Sequence, residues 1–78
     1  MSMEYFIYIG FTDGSSRHTQ NSTSAAWVIY APTGQILSSE GIRLRPFSNN
    51  GAEYSAIIEL LHDAISHGVH SLEVCLDL

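Results

Sequence analysis

Three carboxylates stand where the sequence predicts the end of a strand or the start of a helix. Asp13 follows an apolar run, Glu53 stands where an apolar helical pattern begins, and Asp77 ends a second apolar run. Clustered carboxylates repel one another unless a cation lies between them. Mg²⁺ and Mn²⁺ prefer carboxylate and water oxygens, and two such ions can clamp the attacking and leaving oxygens of a phosphodiester. The pattern therefore indicates phosphoryl-transfer chemistry.

The sequence before residue 47 predicts three strands. Residues 3–12 form an aromatic and β-branched run, typical of a strand buried on both faces, and the run ends in an Asp-Gly-Ser turn. An apolar run at 25–31 and an alternating run at 35–46 are separated by a tight turn at Pro32-Thr33-Gly34. These three segments predict an antiparallel meander.

The pattern changes to a helical period from Asn50 onward. Large apolar residues recur at helical spacing, which predicts that they form the buried face of a helix: Tyr54, Ile57, Ile58, Leu61 and Ile65. Gly68 has the position of a glycine that ends a helix. Residues 71–78 then predict a last strand, reached by a helical crossover within the same sheet. The predicted order is β-β-β-α-β.

This order predicts that the three acids meet. If the last strand is parallel to the first, Asp13 and Asp77 lie at the carboxyl ends of neighbouring strands, where open α/β sheets build their sites. About 15 helical residues span roughly 22 Å, and seven strand residues return roughly 23 Å. Glu53, at the start of the helix, should therefore lie level with Asp77.

Composition and charge restrict the class of protein. A chain of 78 residues holds at most one domain, near the size where oligomerisation often adds stability. Hydrophobic residues at 45% and charged residues at 14% are typical of a globular chain. The net charge of −5 argues against a broad basic surface for nucleic acid, so any contact with nucleic acid should be local.

The sequence also bears on compartment. Cys75 is the only cysteine, which excludes an intramolecular disulfide. No apolar run approaches the roughly 20 residues of a membrane span, and the N-terminus lacks a signal-peptide pattern. We therefore expect a soluble, intracellular protein without membrane contact.

The three segments that carry the acids resemble type I ribonuclease H, especially its retroelement-like and plant or archaeal-like branch. The matching stretches are "FTDGSS" after the first strand, "SNNGAEYSAIIELLHDAISHGV" as the first helix with its cap, and "SLEVCLDL" as the fourth strand. In that family an Asp, a Glu and an Asp at these places bind two divalent metal ions. The resemblance thus implies that Asp13, Glu53 and Asp77 are catalytic ligands of Mg²⁺ or Mn²⁺.

The resemblance also implies a substrate and a fold. The family cleaves the RNA strand of RNA–DNA hybrids with a metal-activated water. Asn50 and nearby backbone would contact the minor groove of the hybrid, where 2′-hydroxyls distinguish RNA from DNA, and Ser15 and Ser16 would approach a phosphate. The implied fold is a truncated ribonuclease H-like α/β fold, with a mixed sheet of order 3-2-1-4, one packed helix and residues 1–78 as a single partial domain.

Two departures from the family keep a second function open. The resemblance covers only the first half of the family's domain, without the fifth strand, the later helices and a fourth carboxylate, and Leu78 stands where the family usually has serine. The fourth strand would then be an exposed edge, which invites pairing with another chain. The alternative to a hybrid endoribonuclease is therefore a non-catalytic module that associates through residues 71–78, as a homo-oligomer or with a missing C-terminal half.

Each candidate acid also has a purely structural interpretation. Asp13-Gly14 is a common turn pair, Asn50-x-x-Glu53 matches a capping box, and Asp77 is typical of a solvated acid near a chain end. The other polar candidates favour no functional role, being predicted as solvated or simply packed: His18, His62, His67, His70, Arg43, Arg45 and Cys75.

Overall fold

The computed structural model of the chain describes residues 7–17, 22–44 and 49–76. The order of elements along the chain is β1 (Tyr8–Arg17), β2 (Ser22–Tyr30), β3 (Ile36–Leu44), α1 (Asn49–Ser66) and β4 (Leu72–Leu76). The strands lie in one sheet of order β3-β2-β1-β4, antiparallel within the meander and parallel between β1 and β4. This arrangement confirms the predicted α/β fold, the β-β-β-α-β order and the mixed sheet.

The first strand continues past the place where the sequence predicts a turn. β1 runs through Asp13 and Gly14 and stays paired with β2 as far as Arg17 opposite Ser22. The prediction of a strand ending at residue 12 was therefore wrong, while residues 3–6 lie outside the described residues. Pairing with β2 satisfies the backbone hydrogen-bonding groups of both strands, and this outweighs the turn preference of an Asp-Gly pair.

The turn between β2 and β3 lies where the sequence predicts it. The amide of Gly34 donates to the carbonyl of Ala31 over 2.8 Å, and the amide of Ala31 donates to the carbonyl of Gln35 over 2.8 Å. Gly34 has φ of +93°, a left-handed conformation that costs glycine little. A short turn followed by a left-handed glycine is a common hairpin connection, and it fixes the register of β2 against β3.

Helix α1 ends as predicted but begins one residue early. At its end Gly68 has φ of +74°, and the amides of Gly68 and Val69 donate to the carbonyls of Ile65 and Ala64, each over 3.0 Å. These are the two bonds of a Schellman motif. At its start the helix already includes Asn49, so Asn50 lies inside the first turn and not at the capping position that the Asn50-x-x-Glu53 interpretation requires.

The face of α1 that packs on the sheet differs from the predicted face. The residues at most 3% exposed are Ala52, Ala56, Leu60 and Ala64, whereas the predicted set is 42–74% exposed apart from half-buried Ile57: Tyr54, Ile58, Leu61 and Ile65. Small side chains allow a helix to approach a sheet closely. Leu60 of the same buried face lies over β1 at Gly10, which has no side chain. A Cβ atom added to Gly10 would lie 2.8 Å from Cδ1 of Leu60. The prediction was wrong because close approach, and not residue size, selects the buried face.

The hydrophobic core lies between α1 and one face of the sheet. Its buried centre is Trp27, Ile29, Leu60 and Ala64, surrounded by half-buried Tyr8, Leu37, Ile42, Val69, Leu72 and Val74. The opposite face carries Phe11 and Tyr30, whose rings meet edge to face with centroids 5.8 Å apart. On that face Ile9 and Phe11 stay 37% and 43% exposed, so one side of the sheet is open within the described structure. Within it, too, no helix has the length and apolarity needed to span a membrane.

A polar network, not anticipated from the sequence, also joins α1 to the sheet. Asp63 Oδ2 accepts hydrogen bonds from Nε1 of Trp27 over 2.8 Å and from Oγ of Ser38 over 2.5 Å. Its other oxygen, Oδ1, lies 3.1 Å from Nδ1 of His67. Desolvation by burial raises the pKa of Asp63, but the hydrogen bonds from Ser38 and Trp27 and the charge of His67 outweigh it and lower that pKa below 3.8. The ionised form of Asp63 is therefore the one that the fold stabilises.

Candidate active site

Of the three predicted carboxylates, two lie in described segments. Asp13 is in β1, opposite Ala26 of β2, and is exposed. Glu53 opens the second turn of α1 and is half-buried. Asp77 and Leu78 lie outside the described residues, so the predicted meeting of three acids stays a prediction for its third member.

The backbones that carry Asp13 and Glu53 meet at Gly14. Gly14 faces α1, since it is paired with buried Ala25, and a Cβ atom added to it would lie 2.6 Å from the carbonyl carbon of Ala52 and from the amide nitrogen of Glu53. The start of α1 therefore lies against β1 one residue after Asp13. Because side chains alternate along a strand, Asp13 itself starts on the sheet face away from α1.

The end of β4 is level with these two residues. β4 runs parallel to β1 from Leu72 opposite Tyr8 to Leu76 opposite Thr12. The parallel pairing is as the sequence predicts, but β1 continues to Arg17, so Asp13 lies within β1 and not at its carboxyl end.

The match to known proteins covers most of the chain. Residues 11–78 match the protein family described as reverse transcriptase-like. The chain belongs to this ribonuclease H-like family. Ribonuclease HI of Halobacterium salinarum is 31% identical over 64 residues, which are 82% of this chain and 32% of that protein. The family resemblance stated from the sequence is thereby confirmed.

Solved structures support the same fold. RNase H1 from the halophilic archaeon Halobacterium salinarum has a TM-score of 0.85 at 30% identity, over 92% of this chain and 55% of that chain. LC11-RNase H1 in complex with an RNA/DNA hybrid has a TM-score of 0.81 at 28% identity, over 91% of this chain and 54% of that chain. The N-terminal RNase H domain of rv2228c from Mycobacterium tuberculosis has a TM-score of 0.83 at 25% identity, over 94% of this chain and 53% of that chain. The ribonuclease H-like chain thus spans about half the length of these structures and a third of the archaeal enzyme's sequence.

The donors at this end of the sheet fit a hard divalent cation. Asp13 and Glu53 offer carboxylate oxygens, which are the ligands that Mg²⁺ and Mn²⁺ prefer. Two residues do not complete a site, and the described part of the chain contains no group of three or more His, Cys, Asp or Glu residues close enough to hold an ion. A full ligand set requires further donors, of which Asp77 is the one that the sequence indicates.

The backbones of the weaker substrate-binding candidates lie in the same two elements as Asp13 and Glu53, namely β1 and α1. Ser15 and Ser16 continue β1 beyond Gly14, opposite Ser24 and Thr23 of β2. Asn50 is in the first turn of α1, three residues before Glu53. The backbones of all three are thus within a few residues of the Gly14 contact.

The residues predicted to have no functional role are mostly exposed. His62, His67, His70 and Arg43 are exposed, and Cys75 is half-buried in β4. His67 lies at the C-terminal end of α1 beside Asp63, at the opposite end of the helix from Glu53. His18 and Arg45 lie outside the described residues.

Proposed function

We propose that this ribonuclease H-like chain, as a single partial domain of residues 1–78, contributes Asp13, Glu53 and Asp77 to a metal-dependent site that hydrolyses the RNA strand of RNA–DNA hybrids. The observation that carries the proposal is the contact at Gly14, which brings the backbones of Asp13 and Glu53 together beside the end of β4. The likeness to LC11-RNase H1, solved with an RNA/DNA hybrid, supports the substrate class.

The proposed chemistry divides between the residues and the ions they hold. Bound Mg²⁺ or Mn²⁺, two ions in a complete site, would supply an activated water and stabilise the leaving 3′ oxygen. The residues supply position: α1 packs on β1 through alanine and glycine contacts, and this rigid packing holds Glu53 at a fixed place relative to Asp13.

The proposed substrate contacts lie around these acids. Asn50 would contact the minor groove of the hybrid, and Ser15 and Ser16 would approach a phosphate. Because the net charge is −5, phosphate binding has little general electrostatic support from this chain. We therefore expect weak hybrid affinity that falls further as salt is raised.

Cleavage of a labelled RNA–DNA hybrid at millimolar Mg²⁺ tests this function. We expect slow cleavage of the RNA strand by the unsubstituted chain, and at least tenfold slower cleavage by Asp13→Asn, because the substitution removes a charged ligand while keeping the size of the side chain. Glu73→Gln is the matched control, since Glu73 is an exposed acid in β4 opposite Ile9. No cleavage by folded, unsubstituted protein, or equal cleavage by the Asp13→Asn variant, would contradict the proposal.

A second candidate function is association through the edge of the sheet. Among the described strands β4 is an edge strand, paired with β1 alone, and its Leu76 is 48% exposed. Exposed edges pair with other chains, and exposed apolar patches mark protein interfaces. We propose that residues 71–78 pair with a second copy of the chain or with polypeptide that completes the sheet.

Sedimentation at increasing protein concentration tests the association. We expect self-association of the unsubstituted chain that Leu76→Lys weakens at least tenfold, because a charged lysine on an edge strand opposes pairing. Ile36→Lys is the control, since Ile36 is 59% exposed at the start of β3, the opposite edge strand. A monomer at all concentrations, or an equal effect of the two lysines, argues against pairing through β4.

A further inference from the structure

We infer that Gly14 is the positioning residue of the proposed metal site, because its lack of a side chain sets the distance between the strand of Asp13 and the helix of Glu53. The inference rests on the proposed function and concerns a residue that the sequence suggests only as part of a turn. In the structure Gly14 is inside β1, where it pairs with Ala25. Its role must therefore come from its surroundings in the sheet.

The space at Gly14 is closed by helix backbone. An added Cβ atom would lie 2.6 Å from the carbonyl carbon of Ala52, 2.6 Å from the amide nitrogen of Glu53 and 2.8 Å from the carbonyl oxygen of Ala52. Real Cβ atoms essentially never approach other atoms within 3.0 Å, and backbone atoms cannot rotate away. Any other residue must push α1 off β1 by roughly 1 Å to reach normal van der Waals separation.

Glycine is needed here for space and not for backbone conformation. Among the described glycines, positive φ values belong to Gly34 and Gly68, both in turns. The other two strand glycines of the described structure meet different neighbours. At Gly10 the added atom meets the movable methyl groups of Leu60, and at Gly41 its nearest neighbour is 3.7 Å away, an ordinary contact. Gly14 is the one strand glycine in the described ranges that backbone atoms of α1 contact so closely.

The contact at Gly14 sets the position of Glu53, a proposed ligand of the metal site. The displaced atoms belong to the Ala52–Glu53 peptide, so a shift of α1 moves the origin of the Glu53 side chain directly relative to Asp13. Mg²⁺ demands near-ideal octahedral geometry at about 2.0–2.1 Å, whereas Ca²⁺ accepts longer, irregular coordination at about 2.3–2.6 Å. A change of spacing should therefore weaken Mg²⁺ binding more than Ca²⁺ binding, which general destabilisation of the fold would not do.

Calorimetric titration of the folded chain with Mg²⁺ and separately with Ca²⁺ tests the inference. We expect Gly14→Ala to weaken Mg²⁺ binding at least tenfold and Ca²⁺ binding by a smaller factor. Gly41→Ala, the matched control in a strand with room for a methyl group, should leave both affinities unchanged. Equal Mg²⁺ affinity in the Gly14→Ala variant and the unsubstituted chain would overturn the inference, as would equal losses for the two ions.

A second variant keeps the test decisive if Gly14→Ala does not fold. Glu53→Asp withdraws the same carboxylate by one methylene without crowding β1, and we expect it to reproduce the selective loss of Mg²⁺ affinity. Unchanged Mg²⁺ affinity in the Glu53→Asp variant would mean that the strand–helix spacing does not govern the site, and it would overturn the inference. Absence of Mg²⁺ binding by the unsubstituted chain would instead contradict the proposed function.

Discussion

Leu60→Ala is expected to lower the free energy of unfolding by about 3 kcal/mol, within the range for a leucine removed from a packed core. Leu60 is fully buried, belongs to the core cluster with Trp27 and Ile29, and fills the space above Gly10. Nothing can collapse into the gap easily, because the sheet beneath is held by its backbone ladder. The measurement is urea denaturation followed by circular dichroism.

Leu61→Ala is the matched control, one residue further along the same helix. Leu61 is 42% exposed, so its truncation removes less buried surface and is expected to cost less than about 1 kcal/mol. Both variants gain the same helix propensity, which cancels in the comparison. Equal losses at low protein concentration would show that α1 packs on the sheet through the large apolar face that the sequence predicts, and not through the alanine face.

This pair of leucines also illustrates which features of the fold are predictable from the sequence. The order of elements follows from local patterns, namely apolar runs, the turn at Pro32-Thr33-Gly34 and the stop at Gly68. The order, the turn and the stop are confirmed, whereas the predicted end of the first strand is not. The buried face of α1 depends instead on a contact with β1, distant in sequence. Hydrophobicity ranks isoleucine above alanine, so periodicity alone selects the wrong face. The available signal was Gly10 and Gly14, four residues apart on one strand face, which leave a smooth surface for a helix.

The candidate site was predictable to a similar degree. The parallel pairing of β1 and β4 and the start of α1 beside Asp13 follow from topology, and the structure bears out both. The role of Gly14 was missed because Asp-Gly is a frequent turn pair and local preference said nothing of the helix above it. Asp63 was missed for another reason: an acid beside the buried alanine face requires partners, but Trp27 and Ser38 are on strands whose register only the fold determines.

Exposed apolar residues lie on the outer face of α1 and on the open face of the sheet. The chain spans about half of the ribonuclease H structures it resembles, and it has one described helix on one face of its sheet. Tyr54, Ile58 and Ile65 are over half exposed, which leaves the outer face of α1 free to take part in further packing.

Asp63→Ala is expected to lower the free energy of unfolding by about 2–6 kcal/mol, since two buried donors would lose their acceptor at about 1–3 kcal/mol each. Trp27 is 7% and Ser38 is 9% exposed, so water cannot readily replace the carboxylate. Asp63→Asn keeps one acceptor oxygen and should cost about 1 kcal/mol, chiefly through weaker hydrogen bonds. Glu59→Ala, at a half-buried acid one turn earlier, is the control and should change stability by less than about 0.5 kcal/mol.

The same carboxylate makes stability depend on pH with a definite sign. The pKa of Asp63 is lower in the folded chain than its ordinary value of 3.8, so the unfolded chain binds a proton first as pH falls. The contribution of the ionised group is thus fully present well above pH 3.8 and is lost as pH falls through the lower, folded pKa. The stability difference between the unsubstituted chain and Asp63→Asn, measured in urea from neutral pH downward, should stay constant to mildly acidic pH and then shrink. A difference that stays constant through the acid range would mean that the hydrogen bonds from Trp27 and Ser38 do not depend on the charge of Asp63. Burial of apolar surface alone would then hold α1 to the sheet.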